Sequence, residues 1–355
     1  MKIQSIRAWR MPLQLTRPYT IAYKTVTDVD NVFVEITADN GLTGLGAANP
    51  SPYVVGETLA DTEAVLASGM TDTLIGHPVA GYRAWGEALY TLLPQNPGAR
   101  AALDIAFHDL YAQAAGLPLA VVLGQKHQQL PTSITIGIKE VAATLEEADE
   151  YVGRQFRILK VKLGHSLEED LERLRKLRER FGFEIGIRVD ANQGYTHADM
   201  IRFYAETRSL DIELVEQPLP AAALEITRSL PDEIRQTLAA DESLISARDA
   251  WHISQAPPAF GILNIKLMKC GGIYQALRIA EVARLGGLEL MWGCNDESIV
   301  SISAALHAAF ACENTRYLDL DGSLDLAQDL VSGGFVIEEG IMRLAGGPGL
   351  GVSRL

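Results

Sequence analysis

Short apolar segments that end in a charged residue recur along the middle of the chain. Residues 157–164 are apolar and β-branched apart from their charged positions, and a glycine closes the segment, which predicts a buried strand. Four similar segments follow, and their last residues lie at steps of 28, 26, 25 and 25 positions, counted from Lys162. These last residues are Asp190, Glu216, Asp241 and Lys266. Such a spacing accommodates one strand, one helix and two short loops, so the pattern predicts parallel strands.

The remaining segments of this kind complete a barrel. Strand patterns at residues 132–137, 288–293 and 317–322 bring the predicted number of strands to eight, and helical patterns lie between them. One of these helices begins with a capping box at residues 166–169. In a closed α/β barrel the carboxyl ends of all strands meet on one face, which carries the active site. We therefore predict an α/β fold with a TIM-like (β/α) barrel at residues 126–322.

A different pattern precedes the barrel. Residues 1–48 alternate like an antiparallel meander with turn residues between its strands. Helical patterns follow at residues 57–68, 79–93 and 99–115. Together they predict an N-terminal α+β capping domain at residues 1–125. The stretches 16–25 and 49–54 are rich in turn residues, and we expect them to be mobile loops.

The end of the chain predicts a hairpin outside the barrel. Residues 334–344 alternate around a turn, but a closed barrel offers them no strand to pair with. We expect the C-terminal segment, residues 323–355, to return to the capping domain, so that the hairpin completes that domain's sheet.

Charge and cysteine content exclude some partners and locations. The formal net charge is −14 and the pI is about 5.0. Nucleic acids and anionic membranes bind basic patches, so we expect neither as a partner. No apolar run is long enough to span a bilayer, and the N-terminus alternates like a strand without a signal core. The odd number of cysteines, three, lacks metal-binding spacing and predicts reduced thiols in a cytoplasmic protein.

The charged strand ends predict a metal site. Asp190, Glu216 and Asp241 should meet at the barrel mouth, where carboxylate oxygens suit Mg²⁺. Asn192 follows closely and could contact one of these ligands. A single acid at a strand end is as often solvated or a helix cap. Three acids in register with lysines favour the metal site instead.

The lysines predict proton transfer. Side chains alternate along a strand, so Lys160 and Lys162 point to the same side, and their mutual repulsion is expected to lower a lysine pKa. Lys266 lies four strands further on, across the barrel. One base on each face of a planar intermediate allows a proton to leave from one side and return on the other, which is racemisation or epimerisation. Taken alone, each lysine could equally form a surface salt bridge.

The lysines and acids at the strand ends follow a domain made of a meander and helices. In this combination the chain resembles the muconate-lactonizing subgroup of the enolase superfamily, over essentially its whole length. The segments 264–272 and 318–322 look like those of dipeptide epimerases. The resemblance implies a Mg²⁺-dependent enzyme that epimerises the C-terminal residue of a dipeptide through an enediolate. It also implies that Asp321, with Asp319 on the same strand face, holds the α-ammonium group of the substrate. An ordinary exit from a strand into a turn would explain these two acids as well. We also expect a homo-oligomer.

Other functions remain open from the sequence. A cycloisomerase, an o-succinylbenzoate synthase or an N-acylamino acid racemase would use the same bases, but their substrates lack the free ammonium group that Asp319 and Asp321 would bind. A barrel that binds a metal and a ligand without catalysis is a more distant alternative, because it would not need bases on both faces.

The loop after the seventh strand is expected to influence which substrate side chains the protein prefers. Asp296 and Glu297 should lie just above the mouth, where an acidic rim favours cationic side chains. Ser298 is a further candidate for substrate contact, although a helix begins near it and one of the two acids could cap that helix. Lys24, in the first loop, is the opposing signal, since it could pair with a glutamyl carboxylate. We expect dipeptides of Lys or Arg over Ala-Glu, with L-Ala-D/L-Glu specificity as the alternative.

Overall fold

An antiparallel sheet covered by helices forms the N-terminal part of the chain. The computed structural model describes the backbone of residues 1–21 and 24–355, and all side chains outside residues 17–27. The strands are β1 (Ile3–Ile21), β2 (Lys24–Ala38) and β3 (Thr43–Ala48), which pair in that order. The helices are α1 (Pro52–Val55), α2 (Leu59–Ala67), α3 (Tyr82–Leu92), α4 (Pro97–Ala115) and α5 (Leu119–Leu123), with a 3₁₀ turn at Met70–Leu74.

Helix α4 is the buried element of this capping domain and packs directly on β3. Two glycines of the strand make the contact possible. A Cβ atom at Gly44 would lie 2.1 Å from the carbonyl oxygen of Ala106, and one at Gly46 would lie 1.9 Å from that of Ala102. The helix backbone therefore rests on the strand backbone at a distance that excludes any side chain between them.

Eight parallel strands form the barrel, and helices follow them on the outside. A short strand, β4 (Gln129–Pro131), precedes the barrel. The barrel strands are β5 (Ile134–Ile136), β6 (Ile158–Lys162), β7 (Gly186–Asp190), β8 (Ile212–Glu216), β9 (Leu238–Ala240), β10 (Ile262–Ile265), β11 (Glu289–Gly293) and β12 (Thr315–Asp319). The helices are α6 (Val141–Gly153), α7 (Leu167–Phe181), α8 (His197–Thr207), α9 (Leu224–Arg228), α10 (Asp232–Arg235), α11 (Ala247–Ile253), α12 (Leu267–Cys270), α13 (Ile273–Leu285) and α14 (Ile299–Ala311). A second 3₁₀ turn, Ala221–Ala223, precedes α9.

Register in the barrel brings the predicted charged residues to one end. The strands pair in chain order from β5 to β12. An isolated parallel bridge between Thr132 and Leu318 links the two edges of the sheet, so the barrel is nearly closed. Lys162 on β6 lies opposite Asp190 on β7, which lies opposite Glu216 on β8. The predicted TIM-like barrel with an N-terminal capping domain is confirmed.

The C-terminal segment returns to the capping domain, but not through its hairpin. Its strands are β13 (Val331–Gly333), β14 (Phe335–Glu338), β15 (Ile341–Leu344) and β16 (Val352–Arg354). The hairpin β14–β15 pairs with β4, which corrects the expectation that it would extend the capping sheet. Another part of the C-terminal segment reaches the capping sheet instead, since Leu326 forms an isolated bridge with Leu15 on β1. Residue Arg354 makes a second return contact, to Glu35 on β2.

The two stretches expected to be loops carry secondary structure. Most of 16–25 belongs to the long hairpin of β1 and β2, in which Tyr19 pairs with Val26 and Ile21 with Lys24. The proline at position 18 is compatible with this strand, because β1 lies at an edge of its sheet and edge strands tolerate proline. Residues 22 and 23 lie outside the described chain, as does the side chain of Lys24. In 49–54, helix α1 supplies a single helical turn.

None of the helices in the described chain is long and apolar enough to cross a membrane. The longest, α4, has 19 residues and is buried along most of its length within the capping domain. Its charged residues, among them Arg100, Asp104 and Asp109, take part in hydrogen bonds within the fold.

Replacing Gly46 with alanine tests the contact between α4 and β3. The added methyl group would overlap a main-chain oxygen, and overpacking of this kind costs about 1–3 kcal/mol or more. We expect Gly46→Ala to lower Tm by several degrees in calorimetry. Gly153→Ala is the matched control, because a Cβ atom there meets nothing within 4 Å. Equal Tm values for the two variants would contradict the packing argument.

Candidate active site

Lys160 is the buried centre of the charged cluster. Its Nζ atom lies 2.7 Å from Asp319 Oδ2, 2.6 Å from Glu216 Oε2 and 3.5 Å from Asp190 Oδ2. Burial by itself would lower the pKa of Lys160, but the attraction of the three carboxylates outweighs it and raises that pKa well above its usual value. The expectation that a neighbouring lysine would lower it is wrong for Lys160, which is a fixed ammonium group.

Lys162 is the more accessible lysine of the pair. It ends β6, and its Nζ atom donates to Asp190 Oδ2 at 2.7 Å and to Asn192 Oδ1 at 3.3 Å. The Asn192 main chain is in the left-handed region, with φ 41°, and its N–H donates to Asp190 Oδ1 at 3.0 Å. Asn192 thus touches both a predicted metal ligand and a predicted base.

Lys266 stands on the other side of the barrel. It follows β10, which is four strands from β6 in the eight-stranded sheet. Its Nζ atom donates to Asp241 Oδ2 at 2.9 Å. Burial alone would lower the pKa of Lys266, but the carboxylates of Asp241 and Glu216 prevail and raise it. Two lysines therefore face the mouth from opposite walls.

The three predicted metal ligands lie at the ends of three consecutive strands. Asp190 and Glu216 are the last residues of β7 and β8, and Asp241 directly follows β9. Burial would raise the pKa of Asp190 and of Asp241, yet neighbouring lysines outweigh burial and lower both. For Glu216, burial and then the charge of Asp190 raise the pKa to about 7.

These carboxylates fit a hard cation. In the described residues no three acidic, histidine or cysteine side chains already lie close enough to hold a metal ion, and Lys160 contacts both Asp190 and Glu216. Glu216 Oε2 is nevertheless buried without a hydrogen bond from any described residue, and its contact with Lys160 Nζ at 2.6 Å is an ion pair. A buried anionic oxygen that lacks a hydrogen bond, together with two more carboxylates, is the donor set that Mg²⁺ prefers.

Two further residues hold these carboxylates and were missed in the sequence. Asn264 Nδ2 donates to Glu216 Oε1 at 2.7 Å, and Lys269 Nζ donates to Asp241 Oδ1 at 2.5 Å. Asn264 lies two residues before Lys266 on the same strand face, so alternation could have signalled it. Lys269 stands out in the sequence only because it is a charged residue in an otherwise apolar helix start.

The two acids of the eighth strand have different surroundings. Asp319 is buried, and its carboxylate accepts from Ser133 Oγ and Lys160 Nζ, both at 2.7 Å. Asp321 lies two residues beyond β12, and its Oδ2 accepts from the N–H of Thr135 at 2.7 Å. Burial, followed by the charge of Asp319, raises the pKa of Asp321 to about 7. A substrate contact of Asp319 stays a prediction, and Asp321 is the less enclosed acid.

Hydrogen bonds link the loop after β11 to the capping domain. Asn49 Nδ2 donates to the carbonyl oxygen of Asp296 at 2.6 Å, and Asn295 Nδ2 donates to that of Asn49 at 2.8 Å. Glu297 is buried and accepts from the N–H of Asn295 at 2.8 Å, and burial raises its pKa to about 7. The expectation that Glu297 belongs to an exposed acidic rim is therefore wrong, since its carboxyl group folds back into its own loop. Asp296 remains partly exposed.

Ser298, the further candidate for substrate contact, lies at the start of α14. Its hydroxyl group is fully buried, accepts from the N–H of Val300 at 3.2 Å and donates to Asp329 Oδ1 at 2.8 Å. Ser298 therefore caps α14 itself, and neither Asp296 nor Glu297 is needed as the cap. A substrate contact of Ser298 stays a prediction from the sequence.

Comparison with known proteins agrees with this architecture. The family model described as "Enolase C-terminal domain-like" matches residues 143–354, and that of the "Mandelate racemase / muconate lactonizing enzyme, N-terminal domain" matches residues 5–124. The chain is 53% identical over its whole length to an L-Lys-D/L-Arg epimerase of Desulforapulum autotrophicum, of which it covers 100%. It is 34% identical to an L-Ala-D/L-Glu epimerase of Bacillus subtilis, over 99% of this chain and 97% of that protein.

A solved structure gives the same result. The dipeptide epimerase of Methylococcus capsulatus, in complex with Mg and the dipeptide L-Arg-D-Lys, superposes with a TM-score of 0.97 at 49% identity, covering 99% of both chains. With both family models matched in chain order and relatives of this similarity, the chain belongs to the mandelate racemase/muconate-lactonizing group of the enolase superfamily.

Proposed function

We propose that this protein is a Mg²⁺-dependent dipeptide epimerase that inverts the α-carbon of the C-terminal residue and prefers cationic dipeptides. The observation that carries the proposal is the placement of Lys162 and Lys266 on opposite walls of one barrel mouth, each in contact with a different carboxylate. A hydrolase or a simple binding barrel has no need of two opposed amines. Inversion of a stereocentre by a mechanism with two bases uses one on each face.

Asp190, Glu216 and Asp241 would hold the metal ion. Bound Mg²⁺ supplies electrostatic stabilisation for the negative charge that develops on the substrate carboxylate when the α-proton is removed. Lys160 adds a permanent positive charge below these carboxylates, because its ammonium group contacts Asp190 and Glu216 and is fully enclosed. Lys160 therefore acts electrostatically and not as a base.

The two remaining lysines move the proton. One begins as the neutral amine and takes the α-proton, and the other begins as the ammonium group and returns a proton to the opposite face. Charge and atoms balance, since the number of protons on the pair is unchanged. The contact with Asp241 favours the ammonium form of Lys266, which makes Lys266 the better donor in the arrangement described. In the reverse direction the two exchange roles.

Asp321 would bind the α-ammonium group of the dipeptide. One of its oxygens accepts a main-chain N–H, and the carboxyl group stands beside the buried charge of Asp319. A cation close to Asp321 relieves the repulsion between the two acids, so this position favours a substrate with a free ammonium group. The same feature disfavours N-acylated substrates, such as that of the N-succinyl-L-Arg/Lys racemase of Bacillus cereus, a relative at 31% identity.

The choice of cationic side chains rests on two observations. Asp296 lies in the loop after β11, and the N–H of the next residue, Glu297, donates to the carbonyl oxygen of Gly322 at 3.2 Å. Because Gly322 directly follows Asp321, the charge of Asp296 would add to the negative charge on this side of the mouth. Two of the relatives, at 53% and 49% identity, are L-Lys-D/L-Arg epimerases, whereas L-Ala-D/L-Glu epimerases match at 34%. Lys24 would favour a glutamyl side chain, and L-Ala-D/L-Glu specificity is therefore the second candidate.

We further propose a cytoplasmic homo-oligomer. Three free cysteines, Cys270, Cys294 and Cys312, support a reducing compartment. The oligomeric state stays a prediction from the sequence.

The proposed function is tested with a library of L,L-dipeptides incubated in D₂O. Each peptide that is turned over exchanges its α-proton, so its mass increases by about one dalton, from general base catalysis with solvent exchange. We expect dipeptides of Lys and Arg to exchange with a higher kcat/KM than L-Ala-L-Glu. A preference for the glutamyl peptide that persists in Asp296→Asn would assign specificity to Lys24.

Lys162→Ala and Lys266→Ala are the controls for this experiment. Each variant should stop epimerisation and keep solvent exchange with one stereoisomer only, because the remaining lysine reaches one face. Epimerisation at a near wild-type rate in either variant would refute the scheme with two bases.

Removal of the metal ion gives a second prediction. EDTA should abolish exchange, added Mg²⁺ should restore it, and Asp241→Asn should bind Mg²⁺ more weakly in calorimetric titration. Glu225→Gln, on the outer helix α9, is a suitable control, since its side chain is 81% exposed. Full activity after exhaustive chelation would rule out the metal assignment.

Substitution of Asp321 gives a third prediction. A hydrogen bond to a charged group contributes about 1.5–3 kcal/mol, so Asp321→Asn should lower kcat/KM for free dipeptides about 10- to 100-fold and affect N-acylated dipeptides much less. The raised pKa adds a pH dependence. Only the ionised carboxyl pairs with ammonium, so wild-type kcat/KM should rise with pH through about 7, and Asp321→Asn should lack this rise. Equal losses on both substrate types would argue against an ammonium site.

A further inference from the structure

Each of the three metal-site carboxylates has one oxygen held by a nitrogen donor of the protein. The pairs are Asp190 Oδ1 with the Asn192 N–H at 3.0 Å, Glu216 Oε1 with Asn264 Nδ2 at 2.7 Å, and Asp241 Oδ1 with Lys269 Nζ at 2.5 Å. The other oxygen of each carboxylate contacts a lysine, which is Lys162 for Asp190, the buried Lys160 for Glu216 and Lys266 for Asp241. The same division of the two oxygens therefore occurs three times.

Asn264 cannot exchange its two amide ends. The residue is fully buried on β10, and a turned amide would place its carbonyl oxygen against the carboxylate of Glu216. Asn264 Oδ1 has no hydrogen bond from any described residue and faces Gly293, where a Cβ atom would lie only 2.7 Å from it. The glycine thus provides the space in which this amide sits, and the amide keeps its N–H end on Glu216.

Lys269 uses all three of its N–H groups inside the protein. Its Nζ atom donates to the carboxylate of Asp241, to the carbonyl oxygen of Asp241 at 2.6 Å and to that of Asn264 at 3.0 Å. The side chain is 4% exposed. It therefore fixes both the main chain and the carboxyl group of Asp241, and it links this residue to the strand that carries Asn264.

We propose that Asn264 and Lys269 are positioning residues that restrict Glu216 and Asp241 to one metal-binding oxygen each. This inference rests on the proposed Mg²⁺ site. Mg²⁺ takes an octahedral set of oxygens, whereas the larger Ca²⁺ accepts more ligands and readily binds carboxylates through both oxygens. If each of the three carboxylates gave one oxygen, three of the six ligand positions that Mg²⁺ prefers would be left for the substrate and water. The donors would thereby select the smaller ion and keep room for the dipeptide.

The ratio of Ca²⁺ to Mg²⁺ affinity tests this role. In Asn264→Ala the second oxygen of Glu216 is released, so Mg²⁺ affinity should fall about 10-fold, as for other residues that orient metal ligands. Ca²⁺ affinity should fall less or rise, so the ratio of the two dissociation constants should move towards Ca²⁺. Isothermal titration of each ion into the enzyme without dipeptide measures this independently of activity.

Asn314→Ala is the matched control. Asn314 Nδ2 also donates one hydrogen bond, to the carbonyl oxygen of Leu288, but at the opposite end of the barrel. Its substitution should leave both affinities unchanged. Asn264→Ser keeps a hydroxyl donor and should give a smaller shift in the same direction, and it carries the comparison if Asn264→Ala does not fold. Lys269→Met and Lys269→Arg form a second pair of variants. Only Lys269→Met removes the charged donor, so only this variant should strongly shift the ratio of the Ca²⁺ and Mg²⁺ dissociation constants.

If Asn264→Ala lost affinity for both ions equally, the inference would be overturned, since a merely structural role weakens the binding of both alike. It would also be overturned if Asn264→Ala kept its Mg²⁺ affinity. The proposed function fails separately. If the wild type binds Mg²⁺ but exchanges no dipeptide, the substrate assignment is wrong and the affinity ratio still decides the role of Asn264. A wild type that binds no Mg²⁺ overturns the site and this inference together.

Discussion

The buried contact of Lys160 with three carboxylates is the constraint on which the barrel interior depends. Asp190, Glu216 and Asp319 lie on different strands and are all fully enclosed. Carboxylates in so small a volume repel one another and lose hydration, so they can stay ionised only around an internal cation. Lys160 supplies it at hydrogen-bond distance from two of them. Because such a cation is itself costly to bury alone, the lysine and its acids stabilise each other.

Catalytic organisation follows from this internal balance. With one lysine committed to neutralising the interior, Lys162 and Lys266 are left at the mouth, each against a single carboxylate. The charges are thus arranged in two levels. The lower level is enclosed and keeps the acids together, and the upper level is the one that would meet the substrate under the proposed function. Below them, Arg188 is paired with Glu213 and donates to the carbonyl oxygen of Leu318, so charge pairing continues into the barrel.

The sequence allowed the barrel and the main site residues to be predicted, because both depend on short-range periodicity. Asp190 and Glu216 end their strands in register with Lys162, and a regular repeat is enough to place them together. Properties set by distant neighbours could not be read in this way. The raised pKa of Lys160 depends on Asp319, which is 159 positions away. The pairing of the last hairpin with β4 likewise depends on a partner about 200 residues earlier, at a separation that local patterns do not encode.

The contact of Asn49 with the loop after β11 has a consequence for how this enzyme could diversify. The amide of Asn49 recognises the carbonyl oxygen of Asp296, and Asn295 in turn recognises the carbonyl oxygen of Asn49. Both acceptors belong to the main chain, which every amino acid shares. A mutation that changes the side chain at position 296 therefore leaves the acceptors of these two hydrogen bonds in the chain. The charge of this loop can therefore change during evolution while the two main-chain acceptors are inherited.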